Sequence, residues 1–227
     1  MYFRSRADAG RQLAVKLEQY KNQNISVVAL SEGAVIVAAQ IAMKLHGNLM
    51  LLLTENIYLP GEKDAIASMS STGTFSYNNM FTAGQLEELT ADYHQYIDQK
   101  RREKMHELNV LIGHEGEIHP EYLRHHTVIL VSDGLPSGAS LDVAEAFLKT
   151  IAIKKLIIAT PNASVPAVDK MHLIGDEICC LNVVANYLDI NHYYDDNTVP
   201  KTHDLFKMMQ NISLHWSKEE QMLEAGD

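Results

Sequence analysis

Apolar residues along the chain form short continuous runs separated by stretches of helical spacing. The runs show no alternation of apolar and polar positions, which is typical of strands covered on both faces of a sheet. Such runs predict strands at 25–30, 48–53, 128–131, 155–160 and 177–182. Strands that alternate with helices indicate an α/β fold with a mostly parallel sheet flanked by helices.

The helical stretches carry recognisable start and stop signals. Ser31 to Ala34 should turn the first strand into a helix, which Gly47 is expected to end. Thr82 with Gln85 three residues later predicts a cap at the start of a long amphipathic helix. Apolar residues at helical spacing near the end of the chain predict a C-terminal helix at about 203–223.

The segment 58–80 differs from the rest because it is rich in glycine, serine, threonine and asparagine. This composition predicts turns and a short hairpin around 74–77. A connection of this length inside a compact domain is usually a lid or a flap. We therefore expect a flexible flap at about 55–83, within one domain that spans residues 1–227.

Charge and cysteine content narrow the function classes. The chain has 19 lysine and arginine residues against 29 aspartate and glutamate residues, a net charge of −10, and it has no basic run. Nucleic acid is therefore not expected as the main partner. The two cysteines, Cys179 and Cys180, predict small buried side chains in a reducing compartment. The N-terminus has no apolar signal region, and no apolar run reaches the roughly 20 residues of a membrane span, so we expect a cytoplasmic protein.

One stretch, Thr127 to Ile151, combines a strand, an acid, a loop of small residues and a helix. In an open α/β sheet this junction lies at the carboxyl edge of the strands, where ligands bind. Ser140 is a preferred N-cap, Gly138 would let a ligand approach the backbone, and the first N–H groups of the helix suit an anion. Asp133 would lie beside that anion, free to hold hydroxyls or a cation. The predicted phosphate-binding residues are Leu135, Pro136, Ser137, Gly138, Ala139 and Ser140.

The run from Val128 to Ser140 resembles the phosphoribosyl-pyrophosphate (PRPP) motif of the type I phosphoribosyltransferases. The usual form of that motif is an apolar strand followed by Asp-Asp-Gly-x-x-Thr-Gly-x-Thr. Ser132 stands where the family has its first acid, and Ser137 and Ser140 replace threonines. The layout from Phe3 to Tyr194 is similar to that of small stand-alone bacterial members. The alternative is an ordinary strand–loop–helix with small residues for packing.

The resemblance implies a ribose 5-phosphate ligand, either PRPP or a nucleotide. Asp133 would hold the ribose hydroxyls directly or through Mg²⁺, which makes it the candidate catalytic residue and metal ligand. The loop implied to face pyrophosphate comprises Ser31, Glu32, Gly33 and Ala34. The segment implied to cover the site and receive a base includes Tyr193, Tyr194 and Asp195. The expected partner is a small phosphorylated ribose compound, and a homodimer is left open.

Two departures from the family concern charge. Glu32 stands where the family has the arginine of an Arg-Gly pair, and Thr54-Glu55 stands where it tends to have Arg-Lys. The alternative is that both glutamates are solvated loop charges, and in either case a cation that would have met pyrophosphate is missing. The protein is then either an enzyme that transfers a phosphoribosyl group to a nitrogenous base or a non-catalytic sensor of a nucleotide or sugar phosphate. A third alternative, an unrelated doubly wound protein, would show Gly-x-Gly-x-x-Gly after the first strand, which loop 31–34 lacks.

Overall fold

The computed structural model describes residues 2–113 and 118–212, and its elements alternate as the apolar pattern predicts. The strands are β1 (Phe3–Ser5), β2 (Ile25–Ala29), β3 (Asn48–Leu51), β4 (Thr54–Tyr58), β5 (Ala65–Ser70), β6 (Phe75–Tyr77), β7 (Thr127–Val131), β8 (Lys155–Ser164), β9 (Glu177–Val184) and β10 (Tyr194–Asp196). The helices are α1 (Arg6–Lys16), α2 (Glu32–Leu45), α3 (Ala83–Ile112), α4 (Ala139–Leu148) and α5 (Val165–Ile174), followed by a C-terminal helix at 202–212.

A five-stranded parallel sheet in the order β3-β2-β7-β8-β9 forms the centre, so the predicted α/β fold is confirmed. Successive residues of a strand point to opposite faces, so Val27 lies in one apolar core and Val28 in the other. The first core includes residues of α1, α2 and the C-terminal helix, and the second includes residues of α4 and α5. Cys179 and Cys180 likewise pack on opposite faces, as predicted.

A second sheet stands where the sequence predicted turns and one hairpin. β4, β5 and β6 form an antiparallel sheet with its own small apolar core, which includes Ile57, Ile66 and Ile97. Every residue of β5 is buried, and this strand contacts both α3 and α4. The prediction was wrong in extent because the small and polar residues of β5 are typical of a loop. Their burial between elements distant in sequence makes them a strand.

The helix boundaries follow the sequence signals with two exceptions, the end of α2 and the start of α4. Thr82 and Gln85 form the predicted capping box at the start of α3. α2 ends at His46, which adopts the left-handed conformation with φ of 62°, and not at Gly47. The predicted C-terminal helix is confirmed for 202–212, and its predicted remainder lies outside the described residues. No helix in the described part of the chain could span a membrane.

The two ends of the described chain meet beside the central sheet. β1 pairs in parallel with β10, with Phe3 opposite Tyr194 and Ser5 opposite Asp196. Ser5 also caps α1 by accepting a hydrogen bond from the Asp8 N–H at 3.2 Å. This pairing fixes the start of α1 next to the segment that follows β9.

Candidate functional site

Two strand–loop–helix units lie side by side at the carboxyl edge of the central sheet. β2 pairs with β7 in parallel, with Ala29 opposite Val131. The pairing extends past the strands, because the Leu30 N–H donates to the Val131 carbonyl at 3.0 Å. Parallel strands end at the same edge, so loop 31–34 and loop 132–140 are neighbours at the place where α/β folds bind ligands.

Asp133 joins these two loops. One carboxylate oxygen accepts a hydrogen bond from Ser31 Oγ at 2.8 Å, and the other accepts one from Arg6 Nε at 2.8 Å. The side chains of Arg6 and Asp133 are each only 5% exposed, so this is a buried ion pair. Ser31 Oγ also accepts from the Ala34 N–H at 3.0 Å and thereby caps α2. Asp133 is thus held against the first loop. The sequence analysis expected its oxygens to be free, but both accept hydrogen bonds.

Arg6 is the residue of this site that sequence analysis missed. Its Nη2 donates to Asn191 Oδ1 at 2.7 Å, and its guanidinium carbon lies 4.7 Å from the ring centroid of Tyr194. It therefore binds the segment after β9 as well as Asp133. The sequence does contain a signal for Arg6, because this residue lies on the same helical stripe as the buried residues Ala9 and Leu13. A charged residue on an apolar stripe requires a buried partner.

Gly33 allows this ion pair to lie against the first turn of α2. A Cβ at Gly33 would overlap an Asp133 carboxylate oxygen and would lie 2.7 Å from Arg6 Nε. Glycine is needed here for a steric reason, because two charged side chains lie close to the backbone.

Loop 135–140 is bonded to β8 by backbone hydrogen bonds. The Leu135 N–H donates to the Asn162 carbonyl at 2.9 Å, and the Ser164 N–H donates to the Leu135 carbonyl at 2.9 Å. The loop then rises to the surface, where Pro136 is exposed and Ser137 is partly exposed. Its position at the carboxyl edge is the one that the sequence predicted.

The start of α4 differs from the prediction in two details. Gly138, and not Ser140, is the N-cap residue and has no side chain to cap this helix, while the Ala139 N–H donates to Ser137 Oγ at 3.4 Å. The φ of Gly138 is −88°, which any residue can adopt. A Cβ at Gly138 would lie 2.7 Å from Lys170 Cγ and 2.9 Å from Lys170 Cβ. The space at Gly138 is therefore filled by the Lys170 side chain and is not open to a ligand.

Lys170 also takes part in contacts that link the start of α4 to the antiparallel sheet. It forms an ion pair with Asp142 in the first turn of α4, and their side chains are 15% and 3% exposed. The other partner of Asp142 is Asn79, whose Nδ2 donates to the carboxylate at 3.0 Å. The segment after β6 is thus hydrogen-bonded to α4.

The tyrosines predicted to receive a base are packed inside the protein. Tyr194 is 4% exposed and donates a hydrogen bond from its hydroxyl to the Asp133 carbonyl. Tyr193 is 5% exposed, and its hydroxyl accepts from the Leu188 N–H at 3.2 Å. Burial raises the pKa of Tyr194, so its hydroxyl stays protonated. Asp195 is exposed.

A cleft of about 400 Å³ opens beside the Arg6–Asp133 ion pair. Its walls come from loop 31–33, residues 53–55, the segment 189–199 and Leu111 of α3, but not from loop 135–140. Four carboxylates and one guanidinium line it, and the carboxylates belong to Glu32, Glu55, Asp133 and Asp189.

The chain is similar to two curated proteins and to several solved structures. No family model matches the chain. Two proteins of Mycobacterium tuberculosis, from strains H37Rv and CDC 1551, are each named "Putative phosphoribosyl transferase" and are 26% identical over 202 residues. The alignment covers 86% of this chain and 44% of theirs, so the chain spans less than half the length of these curated relatives.

The crystal structure of TT1426 from Thermus thermophilus has a TM-score of 0.71 and 25% identity, and the match covers 95% of this chain and 99% of that chain. The chain has a type I phosphoribosyltransferase-like fold. The resemblance predicted from the motif at 128–140 is confirmed. A hypoxanthine phosphoribosyltransferase from Staphylococcus aureus gives a TM-score of 0.47 at 10% identity, over 81% of this chain and 77% of that chain.

The departures from the family motif have definite partners in the structure. Glu32 accepts a hydrogen bond from the Thr202 hydroxyl at the start of the C-terminal helix. Glu55 lies 3.3 Å from Lys104 Nζ of α3. Ser132 Oγ donates to the Gly134 carbonyl at 2.8 Å, so it closes the turn. Both glutamates line the cleft and are not simply solvated loop charges.

The described residues do not form a metal site of their own. Both oxygens of Asp133 already accept hydrogen bonds, and one of them is paired with Arg6. Within residues 2–113 and 118–212, no group of three or more histidine, cysteine, aspartate or glutamate side chains could hold a metal ion. Asp133 is thus a poor site for a metal held by the protein alone.

Proposed function

We propose that this chain binds a ribose 5-phosphate compound at the carboxyl edge of its central sheet. The observation that carries the proposal is the joining of two strand–loop–helix units by Asp133, which bonds Ser31 of one loop while belonging to the other. The proposed phosphate loop, 135–140, leads into α4 without a side-chain cap. Within the described residues, the Ala139 N–H at the start of α4 is engaged only by a long 3.4 Å contact with Ser137 Oγ, so this helix start suits an anion. The relatives named phosphoribosyl transferase support the same ligand class.

In the enzyme form of this proposal, PRPP or a nucleotide binds between loops 31–34 and 135–140, and a phosphoribosyl group passes to a nitrogenous base. Positioning and neutralisation of the leaving pyrophosphate would be the main catalytic tasks. Arg6 is the one cationic residue in the wall of the cleft, and its charge is already paired with Asp133. Magnesium enters this proposal only as an ion carried by the phosphates of the ligand. A homodimer and a cytoplasmic location are further parts of the proposal.

The acidic wall of the cleft favours a second candidate function, a non-catalytic sensor of a nucleotide or sugar phosphate. Four carboxylates face one guanidinium there. Each additional phosphate charge on a ligand that enters this cleft would meet repulsion. A protein with this wall should retain monophosphates at loop 135–140 better than pyrophosphate-bearing ligands.

Calorimetric titration tests the proposal and separates the two candidates. The purified chain is titrated with ribose 5-phosphate, PRPP with Mg²⁺, and nucleoside monophosphates, and pyrophosphate release from PRPP is followed with purine and pyrimidine bases present. Binding of a monophosphate without turnover supports the sensor, and release of pyrophosphate supports the enzyme. If none of the ribose 5-phosphate compounds bound, the proposal would be wrong.

A charge placed in the loop locates the binding site. Ser137 is partly exposed, and its Oγ accepts a hydrogen bond from the Ala139 N–H at the start of α4. A carboxylate there (Ser137→Asp) should repel a phosphate and weaken the binding of ribose 5-phosphate at least about tenfold. Thr82→Asp is the matched control, because it puts the same charge at the start of α3, where aspartate is an equally good cap. Equal affinities in the two variants would exclude loop 135–140 as the phosphate site.

A further inference from the structure

Three buried side-chain nitrogen or oxygen atoms in the described residues have no hydrogen-bond partner, and all three belong to residues around one turn. The atoms are Arg6 Nη1, Asn162 Nδ2 and the Tyr187 hydroxyl. The turn is 132–135. Arg6 bonds the carboxylate of Asp133, and the Asn162 carbonyl accepts from the N–H of Leu135.

Tyr187 reaches the same turn at Gly134. A Cβ at Gly134 would overlap the Tyr187 hydroxyl, so only glycine leaves room for it. The Tyr187 ring lies 5.0 Å from the ring of Tyr193, centroid to centroid, and this packing orients it. Burial raises the pKa of Tyr187, so the hydroxyl keeps its proton and remains a hydrogen-bond donor.

The other two atoms are also donors whose remaining groups are already engaged. Asn162 accepts from Asn182 Nδ2 at 3.0 Å through its Oδ1, which leaves its own Nδ2 without a partner. Arg6 uses Nε for Asp133 and Nη2 for Asn191, which leaves Nη1. Both residues are almost fully buried, at 0% and 5% exposure.

A buried donor without an acceptor is unfavourable, and native proteins contain few of them. Three such donors around a four-residue turn at the ligand-binding edge of the sheet indicate that an acceptor belongs there. A group with several oxygen acceptors would satisfy them. The hydroxyl and phosphoryl oxygens of a sugar phosphate have this chemistry.

We propose that Tyr187, Asn162 and Arg6 form a set of donors that binds the oxygen-rich part of the ligand over residues 132–135, with the Tyr187 hydroxyl as a specificity-determining group. The ligand class rests on the proposed function. Sequence analysis did not place Asn162 or Arg6 in the site, because their contacts with the turn come from separate parts of the chain. Tyr187 belongs to the aromatic and acidic segment that the resemblance implied to cover the site.

Tyr187→Phe tests this proposal with two measurements of opposite sign. The variant removes only the unpaired hydroxyl, so the free protein should melt about 2 °C higher. The same variant loses a hydrogen bond to the ligand, so ribose 5-phosphate should bind about fivefold more weakly by calorimetry. A structural role alone would not raise stability while lowering affinity.

Tyr194→Phe is the matched control for stability. Its hydroxyl already donates to the Asp133 carbonyl, so its removal should lower the melting temperature. If Tyr187→Phe also melts lower, the Tyr187 hydroxyl has a partner in the free protein and the inference is overturned. If Tyr187→Phe binds ribose 5-phosphate like the unchanged chain, the inference is overturned while the proposed function stands. If the unchanged chain binds no ribose 5-phosphate compound, both fail together.

Discussion

The two strand–loop–helix units share one local form, yet their helices begin in opposite electrostatic settings. α2 starts with a side-chain cap from Ser31, and the carboxylate of Asp133 lies against its first turn. α4 starts at Gly138 with no side-chain cap, and the Lys170 side chain lies across that residue. The first helix start is therefore supplied with a serine cap and a carboxylate, whereas the side-chain acceptor at the second is Ser137 Oγ, which lies 3.4 Å from the Ala139 nitrogen. Similar sequence patterns thus lead to two helix starts with different side-chain partners.

The difference comes from residues outside both units. Arg6 reaches the first loop from α1, and Lys170 reaches the second from α5. Each cation is paired with a buried aspartate, Asp133 or Asp142, so neither contributes a free positive charge. The remaining asymmetry is Glu32, which adds negative charge at the first loop. An anion is expected to prefer loop 135–140.

Removing the charge of Asp133 should have the largest effect on this arrangement. Asp133→Asn leaves the Arg6 guanidinium buried without its counter-charge, and loss of one partner of a buried pair costs about 3 kcal/mol or more. Urea denaturation should show this loss, whereas Asp195→Asn, an exposed position, should change stability little. If both variants lost equally little, the Arg6–Asp133 pair would not hold the two loops together.

Ligand binding by the folded Asp133→Asn variant sharpens the same point. If Asp133 helps to hold ribose hydroxyls, the substitution should weaken the binding of ribose 5-phosphate more than the binding of inorganic phosphate. Titration of both ligands at a temperature well below the melting point checks this. An equal loss for the two ligands would mean that Asp133 only shapes the loop.

Alanine substitutions at Gly33 and Gly138 compare how well the two loops tolerate an added Cβ atom. Gly33→Ala should lower stability by about 2 kcal/mol, because the new Cβ meets the buried Arg6–Asp133 pair, and this overpacking outweighs the usual helical preference for alanine. Gly138→Ala should cost only about 1 kcal/mol, because Lys170 can rotate its methylene groups aside. Denaturant midpoints of the two variants give the comparison. Equal losses would show that the ion pair is as adaptable as the lysine chain.

Local signals in the sequence predicted the central sheet, most helix starts and the place of both loops. Continuous apolar runs marked the five parallel strands, and capping residues such as Thr82 marked helix starts. What the sequence could not show was which distant side chains would cover the loops. The partners of Asp133 and Gly138, namely Arg6 and Lys170, depend on how the helices pack. β5 escaped prediction for the same reason, since tertiary burial and not composition makes it a strand.

Reversing the charge at Glu32 should change ligand preference more than stability. As the chain stands, a nucleoside monophosphate should bind better than PRPP at equal Mg²⁺. Glu32→Arg should raise the affinity for PRPP relative to that for the monophosphate by about tenfold. Reversal of a charge close to the ligand and near the surface is worth at least about 1–2 kcal/mol. High salt should reduce the difference. The control is Glu88→Arg on the exposed face of α3, where the same charge change should leave the ratio unaltered. Pyrophosphate release at ordinary enzyme rates by the unmutated chain would overturn the expected preference.

The smallest effects concern the two serines at the helix starts. Ser31→Ala removes the cap of α2 and should cost about 1 kcal/mol, in the usual range for a lost N-cap. Ser140→Ala should leave stability nearly unchanged, because Ser140 lies inside α4 and does not cap it. Thermal unfolding of both variants checks the difference. Ser140→Ala should still weaken ribose 5-phosphate if its hydroxyl serves the ligand, whereas a stability loss equal to that of Ser31→Ala would show that α4 begins with a serine cap in solution. The pair of variants therefore separates a serine that holds its helix from one that remains available to bind.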